Sequence, residues 1–120
     1  MEALVNIFRV LSDETRLRIV VLLAQQEFCV CELSDILEVS QPKISKSLSK
    51  LRDMNLVVSK RKEKFVFYQL KSDNPILNDA VKSILNHLDE YPQLIIDEHR
   101  NAVNNRVLLK LCNQYPVRQS

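Results

Sequence analysis

A change of hydrophobic period between residues 56 and 70 limits the fold of this chain more than any other feature. Residues 56–59 and 65–70 have the pattern of two strands around the charged tip 60–64, whereas the segments before and after carry apolar residues at helical spacing. Because the chain contains no glycine, we expect a long, mobile loop at the tip instead of a two-residue primed turn. The pattern predicts a mainly α fold with a small antiparallel β-hairpin.

Before the hairpin, four helical segments are predicted, over residues 2–11, 15–25, 32–37 and 40–54. The last begins at Ser40-Gln41-Pro42, where the Ser40 side chain is expected to cap the helix and Pro42 fits its first turn. Its residues spaced to face inward are Ile44, Leu48 and Leu51. Two short helices joined by a tight turn form a helix-turn-helix, and the hairpin extends it to a winged helix-turn-helix.

Positive charge is concentrated in the middle of the chain. Residues 40–71 hold nine Lys or Arg and two Asp or Glu, a local net charge of +7 in a protein whose total is only +2. Such a segment is typical of a surface that binds the DNA backbone, and a merely solvated surface is the alternative. The residues predicted to contact DNA are Ser40, Gln41, Lys43, Ser45, Lys46, Ser47, Lys50, Lys60, Arg61, Lys62 and Lys64.

After the hairpin, Asn74-Pro75 opens a helix predicted to run to about Tyr91, and residues 94–112 form one more. The apolar band of the 74–91 helix is wider than one subunit needs, so we expect a homodimer formed through the first and the C-terminal helices. Residues 1–91 are assigned as a winged helix-turn-helix DNA-binding and dimerisation domain. Residues 92–120 are assigned as a C-terminal helical extension of the same domain.

Two of the three cysteines, Cys29 and Cys31, lie one residue apart just before the helix-turn-helix, and the third is Cys112. An odd number of cysteines in a chain large enough to fold on its core argues against a disulfide framework. A single cysteine is usually a small apolar core group, but this interpretation is weaker for a closely spaced pair. The pair is therefore a candidate binding site.

Three motifs in chain order resemble those of the ArsR/SmtB family of dimeric winged-helix metalloregulators. Residues 11–17 (LSDETRL) resemble the family's opening motif, and residues 40–45 (SQPKIS) resemble the start of its arsenical-branch recognition helix. Cys29-Val30-Cys31-Glu32-Leu33 resembles the signature of its arsenic, antimony and cadmium sensors. The resemblance extends over residues 4–90. It implies a dimeric repressor that binds double-stranded operator DNA, an inverted repeat, and is released by a thiophilic ion.

The ligand set departs from the family pattern. Arsenical repressors of the family carry a third cysteine where this chain has Ser34, and no D-x-H pair precedes residues 87–90 (HLDE) to complete an interfacial zinc site. Thiolates prefer soft ions, and trivalent arsenic or antimony binds two or three sulfurs, so Cys29 and Cys31 supply the minimum chelate for either inducer. Cys112, from the same or from the partner subunit, is the candidate third ligand, and a buried core thiol is the alternative.

Binding of both thiols to one ion constrains the local fold, because residues i and i+2 of a helix point in different directions. Cys29 must therefore lie outside the helix, or the first turn of the helix must distort. That distortion is the predicted switch, since it would shift the first helix of the helix-turn-helix against the recognition helix.

Other functions stay open at this point: a redox or persulfide-sensing repressor that uses the same thiols, and a thiol protein that carries metal. No enzyme is expected, since the chain has no glycine-rich phosphate loop and no nucleophile paired with a base, and no organic cofactor is implied. The first residues lack a signal-peptide pattern, and no apolar run is long enough to span a membrane. We therefore expect a cytoplasmic protein with no membrane partner.

Overall fold

The computed structural model describes the backbone of residues 1–114 and the side chains of residues 1–104. Helices predominate, and a small sheet is formed by one strand before and two strands after the two helices of the predicted helix-turn-helix. The elements are α1 (Glu2–Leu11), α2 (Glu14–Leu23), β1 (Phe28–Cys29), α3 (Val30–Leu37), α4 (Gln41–Asp53), β2 (Val57–Lys62), β3 (Phe65–Leu70), α5 (Pro75–Asn86), a 3₁₀ helix (Leu88–Glu90) and α6 (Pro92–Gln114).

The central helix of the core is α2. Seven of its ten residues are buried, and Ile19, Val20 and Leu22 are fully enclosed. Apolar residues cover too much of its surface for a single stripe, so the helix must be covered on several sides. The elements that pack around it are α1, α4, α5 and β3. The Asp13 carboxylate starts the helix by accepting a hydrogen bond from the Arg16 backbone N–H at 3.0 Å.

The predicted helix-turn-helix is formed by α3 and α4. Its recognition helix, α4, buries the three residues that were spaced to face inward, Ile44, Leu48 and Leu51. The prediction that the Ser40 side chain caps α4 is wrong, because Ser40 makes no side-chain cap hydrogen bond. Pro42 stands at the second helical position and has no N–H, which removes one of the two donors that such a cap serves.

A third strand joins the predicted hairpin. The strand order is β1-β3-β2, all antiparallel, with Phe28 opposite Tyr68 and Cys29 opposite Phe67. A strand of two residues is too short to show a period in the sequence. The consequence for function is that the segment just before α3 is hydrogen-bonded to the hairpin, or wing.

The tip of the wing is shorter than predicted. Lys62 pairs with Phe65, so the turn contains only Glu63 and Lys64, and Glu63 has a φ of 56°. The prediction of a long, mobile loop is therefore wrong. The twist of paired strands favours a primed two-residue turn, and here it places a non-glycine residue in the left-handed region at a cost of roughly 1–2 kcal/mol.

The helix α5 is also shorter than predicted, because it ends at Asn86 and not near Tyr91. The His87 ring bonds the Ser83 carbonyl at 2.7 Å, and the His87 backbone N–H donates to Ile84 O at 3.0 Å, so the chain leaves the α-helix and passes through a 3₁₀ turn into α6.

The mainly α, winged helix-turn-helix architecture is confirmed. The assignment of residues 1–91 and 92–120, and the homodimer, stay predictions. Across the part of the chain that the structure describes, no helix combines the length and the apolar character needed to span a bilayer.

Candidate thiol site and nucleic-acid interface

The two neighbouring thiols lie at the junction of β1 and α3. Cys29 ends β1 and is the N-cap of α3, with extended backbone angles (φ −91°, ψ 169°), and Cys31 is the second residue of the helix. Cys29 thus lies outside the helix, which is one of the two arrangements that chelation by both thiols requires. Cys29 is buried, with 3% of its surface exposed, whereas Cys31 is exposed.

A reciprocal capping box fixes Cys29 to the first turn of α3. The Cys29 backbone N–H donates to Glu32 Oε1 at 3.1 Å, and the Cys29 sulfur accepts from the Glu32 backbone N–H in the place of a serine hydroxyl. Glu32 is itself buried, and its Oε2 accepts a long bond of 3.5 Å from Asn104 Nδ2 of α6. Movement of Cys29 would therefore disturb the start of α3.

Burial raises the pKa of Cys29 from its ordinary value of 9.0 to about 12. The hydrogen bond from the Glu32 backbone N–H favours the thiolate and opposes this shift, whereas the Glu32 carboxylate raises the pKa further. The raised pKa keeps Cys29 a neutral thiol near pH 7, and the thiolate, the more nucleophilic form of cysteine, is disfavoured there.

Cys29 also connects to the wing. It pairs with Phe67 of β3, and the Phe67 ring lies 5.4 Å from Lys62 Nζ and 6.3 Å from the Phe65 ring centroid. Lys62 forms an ion pair with Glu27, which precedes β1. One residue, Cys29, thus belongs both to the sheet that carries the wing and to the cap of the first helix of the helix-turn-helix.

The opposite end of α3 is anchored by a buried ion pair. Arg18 of α2 donates from Nε and Nη2 to the Asp97 carboxylate of α6 at 2.9 and 2.8 Å, and its Nη2 also donates to the Leu37 carbonyl at 2.9 Å. The hydrogen bond to Asp97 raises the pKa of Arg18. A second, exposed pair joins Arg100 of α6 to Glu38 at 2.9 Å. The C-terminal end of α3 is thus tied to α2 and α6.

Most residues predicted to contact DNA lie on one exposed surface of α4 and on the wing. The exposed ones are Ser40, Gln41, Lys43, Ser45, Lys46, Lys50, Lys60, Arg61 and Lys64. The prediction that Ser47 faces outward is wrong: it is buried, and its hydroxyl donates to the Lys43 carbonyl at 2.9 Å, as serine inside a helix often does. Lys62 is half-buried and held by its ion pair.

Cys112, the candidate third ligand, falls outside the residues whose side chains are described, so its role stays a prediction. Within the described side chains, no group of three or more His, Cys, Asp or Glu is arranged to hold a metal ion. Of the three predicted ligands, Cys29 and Cys31 are the two whose side chains the structure describes.

Sequence reasoning missed two residues of this region. Glu32 stands three residues after Cys29, which is the spacing of a capping box, and that spacing could have identified it. Arg16 lines a concavity of about 830 Å³ beside α4 together with Lys43, Lys46 and Lys50. Arg16 belongs to the LSDETRL motif, but the motif does not predict its position beside α4, which depends on how α2 packs.

Comparisons with known proteins agree with one another in the family that they indicate. A family model described as bacterial regulatory protein, arsR family, matches residues 13–59. An arsenic resistance transcriptional regulator of Pseudomonas putida is 43% identical over 76 residues, which are 62% of this chain and 59% of that relative. A second such regulator of the same organism is 38% identical over 117 residues, 96% of this chain and 93% of the relative.

Among solved structures, the AntR antimony-specific transcriptional repressor superposes with a TM-score of 0.62 at 25% identity, over 75% of this chain and 80% of that one. The first relative is matched over less than two thirds of its length, and the second and the antimony repressor over most of theirs.

Proposed function

Because the chain belongs to the arsR family of bacterial regulatory proteins, we propose that it is a metalloregulatory repressor that leaves its operator when trivalent arsenic or antimony binds Cys29 and Cys31. The observation that carries this proposal is the position of Cys29, whose backbone is shared by the wing sheet and the cap of α3. A ligand that moves Cys29 acts on the wing directly and on the recognition helix α4 through α3, which packs against it. The relatives named for arsenic resistance and the antimony-specific repressor support this class of inducer.

The chemistry of the buried thiol favours a neutral metalloid hydroxide over a divalent cation. Arsenous acid is uncharged As(OH)₃ near pH 7. Each thiol that forms a sulfur–arsenic bond gives its proton to a hydroxyl group that leaves as water, so the exchange releases no net proton. A divalent cation requires that Cys29 lose its proton to solvent, and burial, which raises the pKa of this thiol, opposes that loss.

Engaging both thiols requires rearrangement, since Cys29 is buried and Cys31 is exposed. Cys29 must turn outward or the first turn of α3 must distort, and either change breaks the capping box with Glu32. Because Arg18 and Asp97 hold the other end of α3, the movement is concentrated at its N-terminal half. A tenfold loss of operator affinity needs only about 1.4 kcal/mol, within the typical coupling of roughly 1–3 kcal/mol.

We further propose Cys112 as the third ligand. The contacts of α6 progress from Asp97 beside Leu37 to Asn104 beside Glu32, so α6 runs antiparallel to α3 toward the thiol pair. Cys112 follows Asn104 by eight residues of the same helix, about 12 Å further along its axis, so the third thiol would come from beyond Asn104, in the same or in the partner subunit. If Cys112 stays remote, the third position is left to hydroxide or to an exogenous thiol.

The proposed repressor is a homodimer that uses α1 and the C-terminal helices and binds an inverted-repeat operator through the exposed α4 and wing residues. Exposed apolar side chains on α1 support the dimer: Leu4, Val5 and Phe8, the last with 55% of its surface exposed. On α5, one of the proposed C-terminal interface helices, Ile76 is a further exposed apolar side chain. A two-fold axis would place two recognition helices about one helical turn of DNA, or a multiple of it, apart.

Burial of Cys29 argues against the redox alternative, because oxidation needs an accessible thiolate.

The experiment that tests the proposed function is a fluorescence anisotropy titration of the protein bound to an operator selected from random duplex DNA. Arsenite, antimonite, cadmium and zinc are each added under strictly reducing conditions. We expect release by arsenite and antimonite. Absence of salt-dependent DNA binding, or release only after oxidation, would contradict the proposal.

A further inference from the structure

The concave surface beside the recognition helix continues as far as the end of α1. The concavity of about 830 Å³ along α4 and a second one of about 310 Å³ between α1 and α4 share Arg16, Lys50 and Asp53 in their walls. Together they form one trench that begins at Ser40 and ends at Arg9. We call this surface the α1–α4 trench.

The trench is lined by more cations than anions. Its basic residues are Arg9, Arg16, Lys43, Lys46 and Lys50. Its acidic residues are Asp13 and Asp53, and Asp13 is already engaged in capping α2. Among the described residues, no carboxylate lies within salt-bridge distance of any of the three lysines, whereas Lys62 on the wing is paired. A net positive, solvent-open trench of this kind suits a chain of phosphodiesters.

Arg16 is held in place before any ligand arrives. Its Nε donates to the Val10 carbonyl at 3.2 Å, and its Nη2 approaches the Arg9 carbonyl at 3.5 Å, both at the C-terminal end of α1. Arg9 is exposed beside it and uses Nη1 to bond Asn6 Oδ1 at 3.0 Å. Arginine presents a planar fork that matches a phosphate, and a guanidinium already fixed loses less conformational entropy on binding.

We propose that Arg9 and Arg16 bind operator phosphates on the side of α4 that faces α1, so that the DNA contact extends beyond the recognition helix and the wing. This inference rests on the proposed function. In a dimer formed through α1, the trench lies between the recognition helix and the subunit interface. The phosphates that it binds are therefore those between the two half-sites.

The test compares Arg9→Gln with Lys82→Gln, an exposed residue of α5 outside the trench that changes the charge equally. Operator affinity is measured by anisotropy over a range of salt concentrations. Each lost phosphate contact lowers the slope of log K against log salt by about 0.9, so Arg9→Gln should lower it by about 1.8 per dimer. Lys82→Gln should leave the slope unchanged. Equal slopes for Arg9→Gln and the wild type would overturn the inference.

A second measurement locates the contact. Uncharged methylphosphonates placed between the half-sites should weaken binding by the wild type more than binding by Arg9→Gln, which keeps the contact of Arg16 and has lost that of Arg9. Equal effects on both proteins would overturn the inference. If the operator is bound and released by arsenite but the slope is unaffected, only the trench contact fails. If the wild type binds no operator, the proposed function fails with it.

Discussion

Raising the pH above 9 should destabilise the wild-type protein more than a variant without the Cys29 thiol. The cause is the burial of Cys29, with 3% of its surface exposed, which opposes ionisation in the folded state. In the unfolded chain the same thiol is solvated and ionises at its ordinary pKa of 9.0. The perturbation is thus a proton that the unfolded chain releases and the native protein retains.

The sign and size follow from the two pKa values. The folded-state pKa of Cys29, about 12, lies above the unfolded value of 9.0. The stability contributed by the neutral thiol is therefore fully present below pH 9.0 and is lost as the pH rises toward 12. One pH unit corresponds to about 1.4 kcal/mol, so the loss between about pH 9 and about pH 10.5 is roughly 2 kcal/mol.

Urea unfolding of the reduced protein at those two pH values measures this loss. Lysine and tyrosine titrate in every variant, so the informative quantity is the difference between the wild type and Cys29→Ala. Cys31→Ala is the matched control, because Cys31 is exposed, and it should show the same loss as the wild type. If the wild type and Cys29→Ala lose equal stability, Cys29 is not a buried neutral thiol and the account of its inducer selectivity is wrong.

Three further predictions concern the anchors of the fold and of the DNA surface. Asp97→Ala should lower the free energy of unfolding in urea by about 3–5 kcal/mol, because a buried guanidinium loses its partner. Arg100→Gln breaks an exposed pair and should lower it by less than about 1 kcal/mol. Equal losses in the two variants would refute the claim that the buried pair anchors the fold. Lys64→Gln should lower the salt slope of operator binding by about 0.9 per subunit, and the already paired Lys62→Gln by less. Ser47→Ala should leave base preference in a binding-site selection unchanged, since its hydroxyl is used inside α4; a changed preference would contradict that placement.

Much of the fold could be predicted from the sequence because its signals are local and repeated. The spacing of Ile44, Leu48 and Leu51 located the buried face of α4, and the change of period at residue 56 located the wing. Asn74 marked a helix start that the structure contains, since its amide oxygen accepts hydrogen bonds from backbone N–H groups of the first turn.

The features of the fold that the sequence does not predict depend on contacts between distant segments, or on small differences between strand twist and the backbone preference of a residue. Arg18 and Asp97 are 79 residues apart in the chain, so neither predicts the other. The pairing of Cys29 with Phe67 is equally remote in sequence and involves a strand of only two residues. The left-handed Glu63 reflects strand twist that outweighs a residue preference, which composition alone cannot show.

The candidate site was predictable in its elements and not in its geometry. The spacing of Cys29 and Cys31 identified a thiol pair, and the basic segment identified the candidate DNA surface. The sequence does not show that Cys29 is buried and Cys31 is exposed. This difference depends on the pairing of β1, which contains Cys29, with the distant strand β3. That difference in burial is the physical reason for proposing a rearrangement on inducer binding.

The most direct test of the central claim is an arsenite titration of the operator complex, under reducing conditions, for the wild type and for the Cys29→Ser, Cys31→Ser and Cys112→Ser variants. All four proteins should bind the operator with similar affinity before arsenite is added. Arsenite should release the wild type, and should fail to release Cys29→Ser and Cys31→Ser; a weakened response of Cys112→Ser would identify the third ligand. Full release of Cys29→Ser or Cys31→Ser by the same arsenite concentration would contradict the claim that this pair is the inducer site.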